Sequence, residues 1–290
     1  MELLVTLRNK ELLNRLSNRA DGVLAGSLFA MSYNYSFEQM KDILRYCLDH
    51  KLKFYVVMDS FISEDELEQL DEYMKTLADW NVDGIYFHDL SIMAVARRYN
   101  MVGKLIYDGM TVLCNSLETA FYLSKDINAC VISRELTYEE VKEIIANNPG
   151  KVDMQIFGHQ RLSYSKRRFL SNYFKEIGIN YPYKNKETMT LIEEQRSYRM
   201  PIIEDDYGTR IYSDYVFETY DELPFLKKGL KRGIVDTLFM NNATVAKVLD
   251  DCRSIVEANK EMLKKDLYAD YPENYGSGFL YTKTNITKDE

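Results

Sequence analysis

A basic stretch follows the seventh apolar run of this sequence, and its residue types suit the binding of anions. The run ends at Phe157, and the chain then turns polar, with cations concentrated in residues 161–168, here called the basic segment. The cationic or protonatable side chains in and beside it are His159, Arg161, Lys166, Arg167 and Arg168. Such groups bind phosphate and carboxylate oxygens, and Tyr164 and Tyr173 offer rings for base stacking. We predict an anion-, RNA- or partner-binding surface; a solvated basic face on a connecting helix is the alternative.

Eight apolar runs alternate with amphipathic segments and predict the scaffold that positions this surface. The predicted strands are Leu3–Leu7, Asp21–Ser27, Lys53–Met58, Val82–Phe87, Lys104–Tyr107, Ala129–Ser133, Val152–Phe157 and Gly233–Met240. Their apolar residues are continuous, as in parallel strands covered on both faces. The sequence has no glycine-rich phosphate-binding fingerprint, which favours a closed barrel over an open sheet that binds a nucleotide. We therefore predict an α/β fold, a TIM-like (β/α)8 barrel.

The alternation of strand and helix breaks after the seventh strand. Asp205–Gly208 is typical of a hairpin turn, so we predict a small β-hairpin insertion over about residues 175–220. The alternation resumes with two predicted helices, over Asp221–Leu230 and Ala243–Met262. We predict one barrel domain over residues 1–265 and a C-terminal extension over residues 266–290.

Residues just past the strand ends form the functional face of such a barrel. Outside the basic segment, the candidates for anion, RNA or partner binding at these ends are Asp89, Arg134, Glu135, Asn241 and Asn242. His88 and Asp89 form an acid–base pair in one interpretation, and Asp89 caps the following helix in the other. Arg134 and Glu135 are also candidates for an ion pair at the barrel rim. The sequence contains no catalytic constellation that matches a reaction, so no catalytic residue is assigned.

Composition narrows the classes of partner. The formal net charge of −8 argues against DNA binding but is compatible with a local basic patch that docks one RNA. No window approaches the ~18 apolar residues of a membrane span, and no signal peptide is recognisable, so we expect a cytoplasmic protein without a membrane partner. The four cysteines stand far apart without a C-x-x-C pair. We expect buried thiols, no metal site and no cofactor.

Four segments of the chain resemble the U32 peptidase (collagenase-like) family, and they occur in the family's order. They are Ser133–Leu136 with Tyr138–Glu140, then Gly158 with Tyr164–Tyr173, then Leu191–Glu194 with Arg196, Pro201–Ile202 and Glu204–Thr209, and finally Gly278–Tyr281. The second segment is similar to the family signature. Because the four span nearly the whole chain, the resemblance covers both the barrel and the insertion.

The chain departs from the family pattern where that pattern carries chemistry. Arg161 and Arg168 stand where the signature has two cysteines, and two further cysteines expected between about Asn180 and Glu193 are absent. In relatives that act on RNA, the four cysteines are taken to hold an iron–sulfur cluster, which needs thiolates. The charged family motif at the last strand is replaced by Phe239–Asn242. The resemblance therefore implies a degenerate member that keeps the framework without the cluster.

The resemblance also implies a role in RNA modification. Better understood relatives use the cluster in prephenate-dependent hydroxylation of RNA bases, and Gram-positive bacteria carry a short and a long member as a pair for the wobble uridine of tRNA. This chain resembles the short member. The expected function is that of a non-catalytic subunit that pairs with a longer, cluster-bearing paralogue in 5-hydroxylation of the uridine at position 34, with tRNA as a further partner. A U32-type peptidase and a stand-alone binding scaffold are the alternatives.

Overall fold

A computed structural model of the chain describes residues 1–33, 35–182, 184–194, 198–258 and 274–282. Its strands are β1 (Glu2–Thr6), β2 (Gly22–Gly26), β3 (Lys53–Met58), β4 (Gly84–Phe87), β5 (Leu105–Asp108), β6 (Ala129–Val131), β7 (Val152–Ser165), β8 (Thr190–Ile192), β9 (Arg199–Asp205), β10 (Gly208–Glu218), β11 (Arg232–Val235) and β12 (Tyr275–Gly276). Its helices are α1 (Phe37–Asp49), α2 (Leu67–Asp79), α3 (Ser91–Ala96), α4 (Ser116–Leu123), α5 (Tyr138–Asn147), α6 (Phe169–Glu176), α7 (Leu223–Leu226) and α8 (Asn242–Ala258). Within these ranges, no helix is both long and apolar enough to cross a membrane.

Eight parallel strands close into a barrel, which confirms the predicted TIM-like fold. β1 to β7 pair in sequence order, and β11 completes the ring because it pairs with both β7 and β1. Helices or short 3₁₀ turns connect successive strands. The carboxyl ends of all eight strands therefore meet at one end of the barrel, here called the mouth.

Alternate residues of each strand supply two separate apolar layers. In β3, Tyr55 and Val57 belong to a cluster that fills the barrel interior, whereas Phe54, Val56 and Met58 belong to the cluster between the barrel and its helices. This alternation follows from the period of two along a strand. Both faces are apolar, which is why the strands appear as continuous apolar runs in the sequence.

The largest differences between the predicted and the observed boundaries lie at three places. β7 was predicted to end at Phe157 but continues to Ser165. The helix predicted over Asp221–Leu230 is the single four-residue turn α7. The last barrel strand ends at Val235 rather than Met240. The part of the predicted closing helix beyond Ala258 lies outside the described residues.

The predicted hairpin insertion is present and is larger than expected. β9 ends at Asp205 and β10 begins at Gly208, whose φ of +126° suits glycine at this turn. β7, β10, β9 and β8 form an antiparallel extension of the sheet. Of the predicted C-terminal extension, residues 266–273 and 283–290 lie outside the described ranges. β12 pairs with β10, and Leu280 is buried, while the proposed domain boundaries stay a prediction.

Candidate functional site

β7 leaves the barrel at Gly158 and becomes one strand of a ribbon beside the mouth. Gly158 has a φ of +111°, and a Cβ there would lie 2.3 Å from the carbonyl oxygen of Asp236, so only glycine fits. Beyond this point, β7 pairs antiparallel with β10, and β10 carries an irregularity between Tyr212 and Val216. We call residues 159–165 together with residues 208–212 the lid, because His159, Arg161 and Tyr212 line the cavity in the mouth and Arg161 contacts the opposite rim.

Three arginine–aspartate pairs occupy the mouth. The pairs are Arg8–Asp236 at 3.4 Å, Arg134–Asp108 at 3.1 Å and Arg161–Asp59 at 2.7 Å. Their side chains line one cavity of about 60 Å³. Because each guanidinium faces a carboxylate, the three pairs add no net charge to the mouth.

The Arg161–Asp59 pair crosses the mouth from one side to the other. Arg161 belongs to β7, whereas Asp59 follows β3, which lies four strands away in either direction around the ring. The Arg161 side chain is only 8% exposed. The second oxygen of Asp59 accepts a hydrogen bond from the Met31 amide at 2.8 Å. Arg161, the most buried cation of the basic segment, is therefore part of an internal ion pair, and Asp59 already neutralises its charge.

Asp108 is held as a carboxylate by two arginines. Burial alone would raise the pKa of Asp108, but the guanidinium groups of Arg134 and Arg161 outweigh it and lower that pKa to about 2. Arg134 donates to both carboxylate oxygens, at 3.4 Å and 3.1 Å, and to the Gln155 side chain at 3.3 Å. The interpretation of Arg134 and Glu135 as an ion pair is therefore wrong: Arg134 pairs with Asp108, and Glu135 is exposed.

Two further contacts reach the loop between β3 and α2, one from Tyr164 of the lid and one from Lys166, which directly follows the lid. The Tyr164 ring stacks on Phe61 with a centroid distance of 5.2 Å, and its hydroxyl accepts from the Phe61 amide at 3.3 Å. The Lys166 ammonium lies 2.6 Å from the Glu66 carboxylate and donates to the Phe61 carbonyl at 3.2 Å and to Ser63 Oγ. The lid and the opposite rim are thus joined by an ion pair in the mouth, a ring stack and a second ion pair outside.

The remaining cations of the basic segment face outward. Arg167 is exposed, and its side chain makes no hydrogen bond or ion pair with the described residues. Arg168 is 56% exposed and lies 3.8 Å from Asp206, which Lys184 approaches more closely at 2.6 Å. Of the predicted anion-binding cations, these two arginines are accessible at the surface.

Glu204 holds the end of the basic segment and the start of α6 in position through hydrogen bonds. Its carboxylate is 1% exposed and accepts from the Leu170 amide at 2.8 Å and from the Ser171 amide and hydroxyl, all at the beginning of α6. Thr209 Oγ1 lies 2.9 Å from both a Glu204 carboxylate oxygen and the Arg167 carbonyl oxygen, and its single proton is donated to one or the other. A carboxylate at a helix N-terminus is stabilised by the free amides and the helix dipole. This arrangement orients the turn that carries Arg167.

Two other sequence candidates have structural partners. His159 is buried, its Nδ1 lies 2.8 Å from the Ser213 carbonyl oxygen, and its ring packs against Phe239. Asp89 accepts from the amides of Ile62 at 3.0 Å and Ser91 at 2.9 Å. Burial would raise the pKa of Asp89, but these hydrogen bonds lower it below its usual value. The helix-capping interpretation of Asp89 therefore fits the geometry.

The two asparagines after the last barrel strand hold helix ends. Asn241 accepts from the Ala243 and Thr244 amides at 3.0 Å and 2.9 Å, which caps α8. Asn242 exchanges side-chain hydrogen bonds with Asn9 at 3.1 Å and 2.9 Å. Neither side chain lines the cavity in the mouth.

The residues present do not fit the iron–sulfur cluster that the family resemblance implies for members acting on RNA. Cys47 of α1, Cys130 of β6 and Cys252 of α8 are buried, and Cys114, in the loop before α4, is exposed. The expectation of buried thiols is right for three of them and wrong for Cys114. In the described ranges, no three histidine, cysteine or acidic side chains are grouped as a metal site. A cluster needs several thiolates at one place, and Arg161 and Arg168 stand at two of the positions concerned.

Sequence reasoning missed two acids that organise the site. Asp236 lies inside the predicted strand Gly233–Met240, and its charge was the available signal that the strand ends at Val235. Glu204 precedes the hairpin turn and gave no signal beyond its place in a family motif. Both acids act on residues far away in the chain: Asp236 pairs with Arg8, and Glu204 caps α6.

Comparison with known proteins places this site in a family. The sequence profile of Peptidase family U32 matches residues 10–290. The chain is 30% identical over 174 residues to tRNA hydroxylation protein P2 of Bacillus subtilis (59% of this chain, 56% of that protein). It is 26% identical over 158 residues to tRNA hydroxylation protein P1 of the same organism (53% of this chain, 37% of that protein). Each alignment thus covers less than two thirds of the relative's own length.

A solved structure of a U32 peptidase has the same fold. It superposes with a TM-score of 0.50 and 14% identity, over 81% of this chain and 92% of that one. At this identity the likeness concerns the fold alone. The family profile, in contrast, spans nearly the whole sequence and includes the lid and the basic segment. This chain belongs to peptidase family U32.

Proposed function

We propose that this chain is a non-catalytic subunit in tRNA hydroxylation. It pairs with a longer, cluster-bearing U32 paralogue in the prephenate-dependent 5-hydroxylation of the uridine at position 34. The observation that carries the proposal is the state of Arg161. This residue stands where the family signature has a cysteine, and its guanidinium forms an ion pair with Asp59 on the opposite side of the mouth. The likeness to tRNA hydroxylation proteins P1 and P2 supplies the substrate class.

The chemistry of the mouth supports a role without catalysis. Its three arginines are each neutralised by an aspartate, and the space between them is about 60 Å³. A peptidase of the nucleophile-and-base type needs a hydroxyl or thiol within hydrogen-bond reach of a histidine. His159 instead faces the Ser213 carbonyl, and the Thr6 hydroxyl lies 3.2 Å from the Thr237 hydroxyl. These contacts favour the subunit proposal over the peptidase alternative.

The relative lengths of the two relatives support pairing with a longer protein. Aligned stretches of 174 and 158 residues make up 56% of P2 and 37% of P1, so P1 is the longer of the two. This chain is more similar to the shorter one. We therefore infer that a P1-like protein supplies the cluster and that this chain helps to present the tRNA.

Deletion of the gene in its source cell tests the proposal. We expect 5-hydroxyuridine-derived nucleosides to disappear from bulk tRNA, measured by mass spectrometry, and to return when the wild-type gene is supplied. Affinity purification of the tagged chain should recover the longer paralogue and tRNA. Unchanged nucleosides in the deletion strain, or full restoration by extra copies of the longer paralogue alone, would refute the proposal.

A further inference from the structure

The ammonium group of Lys166 already donates hydrogen bonds to acceptors of the opposite rim. It lies 2.6 Å from a Glu66 carboxylate oxygen, 3.2 Å from the Phe61 carbonyl oxygen and within hydrogen-bond distance of Ser63 Oγ. A lysine has three N–H donors, so all three have acceptors. The pair is nevertheless near the surface, since the side chains of Lys166 and Glu66 are 37% and 26% exposed.

The neighbouring arginine has no such competitor. Arg167 is exposed and has no side-chain partner among the described residues. Arg168 lies 3.8 Å from an aspartate that a lysine already approaches. Three consecutive cations of the basic segment therefore differ in their pairing. Lys166 is paired with Glu66, Arg167 has no side-chain partner among the described residues, and Arg168 is loosely paired with Asp206.

We propose that Glu66 is an internal competitor for the phosphate-binding cation Lys166, and that an RNA phosphodiester backbone binds the basic segment fully only when it displaces Glu66. This inference rests on the proposed function and names the contact that tRNA makes. A half-exposed ion pair contributes little net free energy and is screened by salt. A phosphodiester backbone offers closely spaced negative charges. Backbone that docks on Arg167 therefore brings a second phosphate within reach of Lys166.

A pair of matched variants separates this competition from a general change in charge. Glu66→Gln removes the competing charge and keeps an amide oxygen for the Ser63 amide, which the native carboxylate contacts at 2.6 Å. Glu68→Gln removes the same charge from an exposed residue two positions further on, in α2, that makes no ion pair with the described residues. The binding of a fluorescently labelled tRNA transcript to the full chain, measured by anisotropy at fixed salt, compares the two variants.

We expect Glu66→Gln to strengthen tRNA binding about two- to fivefold beyond Glu68→Gln, which corresponds to about 0.4–1 kcal/mol. Lys166→Met should weaken binding little in the wild-type chain and should cancel the gain in the Glu66→Gln chain. Equal affinities of the two glutamine variants, or an equal cost of Lys166→Met in both backgrounds, would overturn the competition. Absence of tRNA binding by every variant would also overturn it, whereas the proposed function is judged separately by the nucleosides of the deletion strain.

Discussion

Removal of the charge on Asp59 should destabilise the barrel by breaking the ion pair across its mouth. The Arg161 side chain is 8% exposed and that of Asp59 14% exposed, so water solvates either charge poorly when its partner is lost. Loss of one member of a buried pair costs about 3–5 kcal/mol because the other charge stays buried. Asp108 also faces Arg161 and offsets part of this cost. We therefore expect Asp59→Asn to lower the free energy of unfolding by about 3 kcal/mol.

The asparagine variant isolates the charge because the new side chain keeps its shape. The Asp59 oxygen that accepts from the Met31 amide at 2.8 Å has a carbonyl counterpart in asparagine. The reverse variant, Arg161→Met, keeps a long apolar side chain and should cost about as much. The double variant leaves no unpaired charge, so it should lie within about 1 kcal/mol of the wild-type chain. Arg168→Met is the control, because its pair is exposed and should contribute less than about 1 kcal/mol.

Urea unfolding at pH 7, followed by far-UV circular dichroism, measures these differences. A thermal scan should show the same order, with a fall of roughly 2–4 °C per kcal/mol for a domain of a few hundred residues. The reasoning would be refuted if Asp59→Asn cost no more than Arg168→Met. It would also be refuted if the costs of the two single variants simply added in the double variant, because the pair would then carry no coupling.

Three further predictions follow from the site. The pKa of the Asp108 carboxyl is about 2, against a usual 3.8. Its charged form therefore stabilises the fold above pH ~4, and this contribution is lost as the pH falls toward 2. In urea unfolding, the difference in stability between the wild-type chain and Asp108→Asn should therefore shrink from pH 5 to pH 3. Glu204→Gln should cost about 1–3 kcal/mol and speed tryptic cleavage within residues 166–168, since one acceptor at the start of α6 is lost. A thiol reagent should label one cysteine, Cys114, in the native chain and four in denaturant, because burial raises the pKa of Cys47 and Cys130 to about 12 and that of Cys252 well above its usual value.

The barrel was predictable from the sequence because its strands are buried on both faces. Such strands appear as uninterrupted apolar runs, and all eight predicted runs correspond to strands of the barrel. The lid was not predictable in the same way. Residues 159–165 continue β7 in an antiparallel ribbon with polar and apolar side chains mixed, so they have the composition of a loop. The end of the apolar run at Phe157 was therefore mistaken for the end of the strand.

The ion pairs of the mouth were beyond sequence reasoning for a different reason. Arg134 and Glu135 are neighbours in sequence, but Arg134 reaches the barrel interior, where Asp108 lies, and Glu135 faces the solvent. Arg161 and Asp59 are 102 residues apart and meet because β7 and β3 face each other across the closed ring. Residue type and position past a strand end indicate which side chains reach the mouth. They do not indicate which pairs form there.

The two arginines at signature cysteine positions have different physical consequences. Arg168 is exposed and close to an acid that has another partner, so we expect its replacement by a smaller residue to leave the lid nearly unchanged. Arg161 is enclosed by Asp59 and Asp108, and a buried guanidinium is tolerated only where carboxylates compensate it. The guanidinium at position 161 is therefore compensated by Asp59, which follows β3, and by Asp108 of β5. A cysteine in place of Arg161 would leave the buried Asp59 carboxylate without its ion-pair partner, whereas Asp108 would keep Arg134. This cost is the physical argument for our proposal that the chemistry lies in a partner protein.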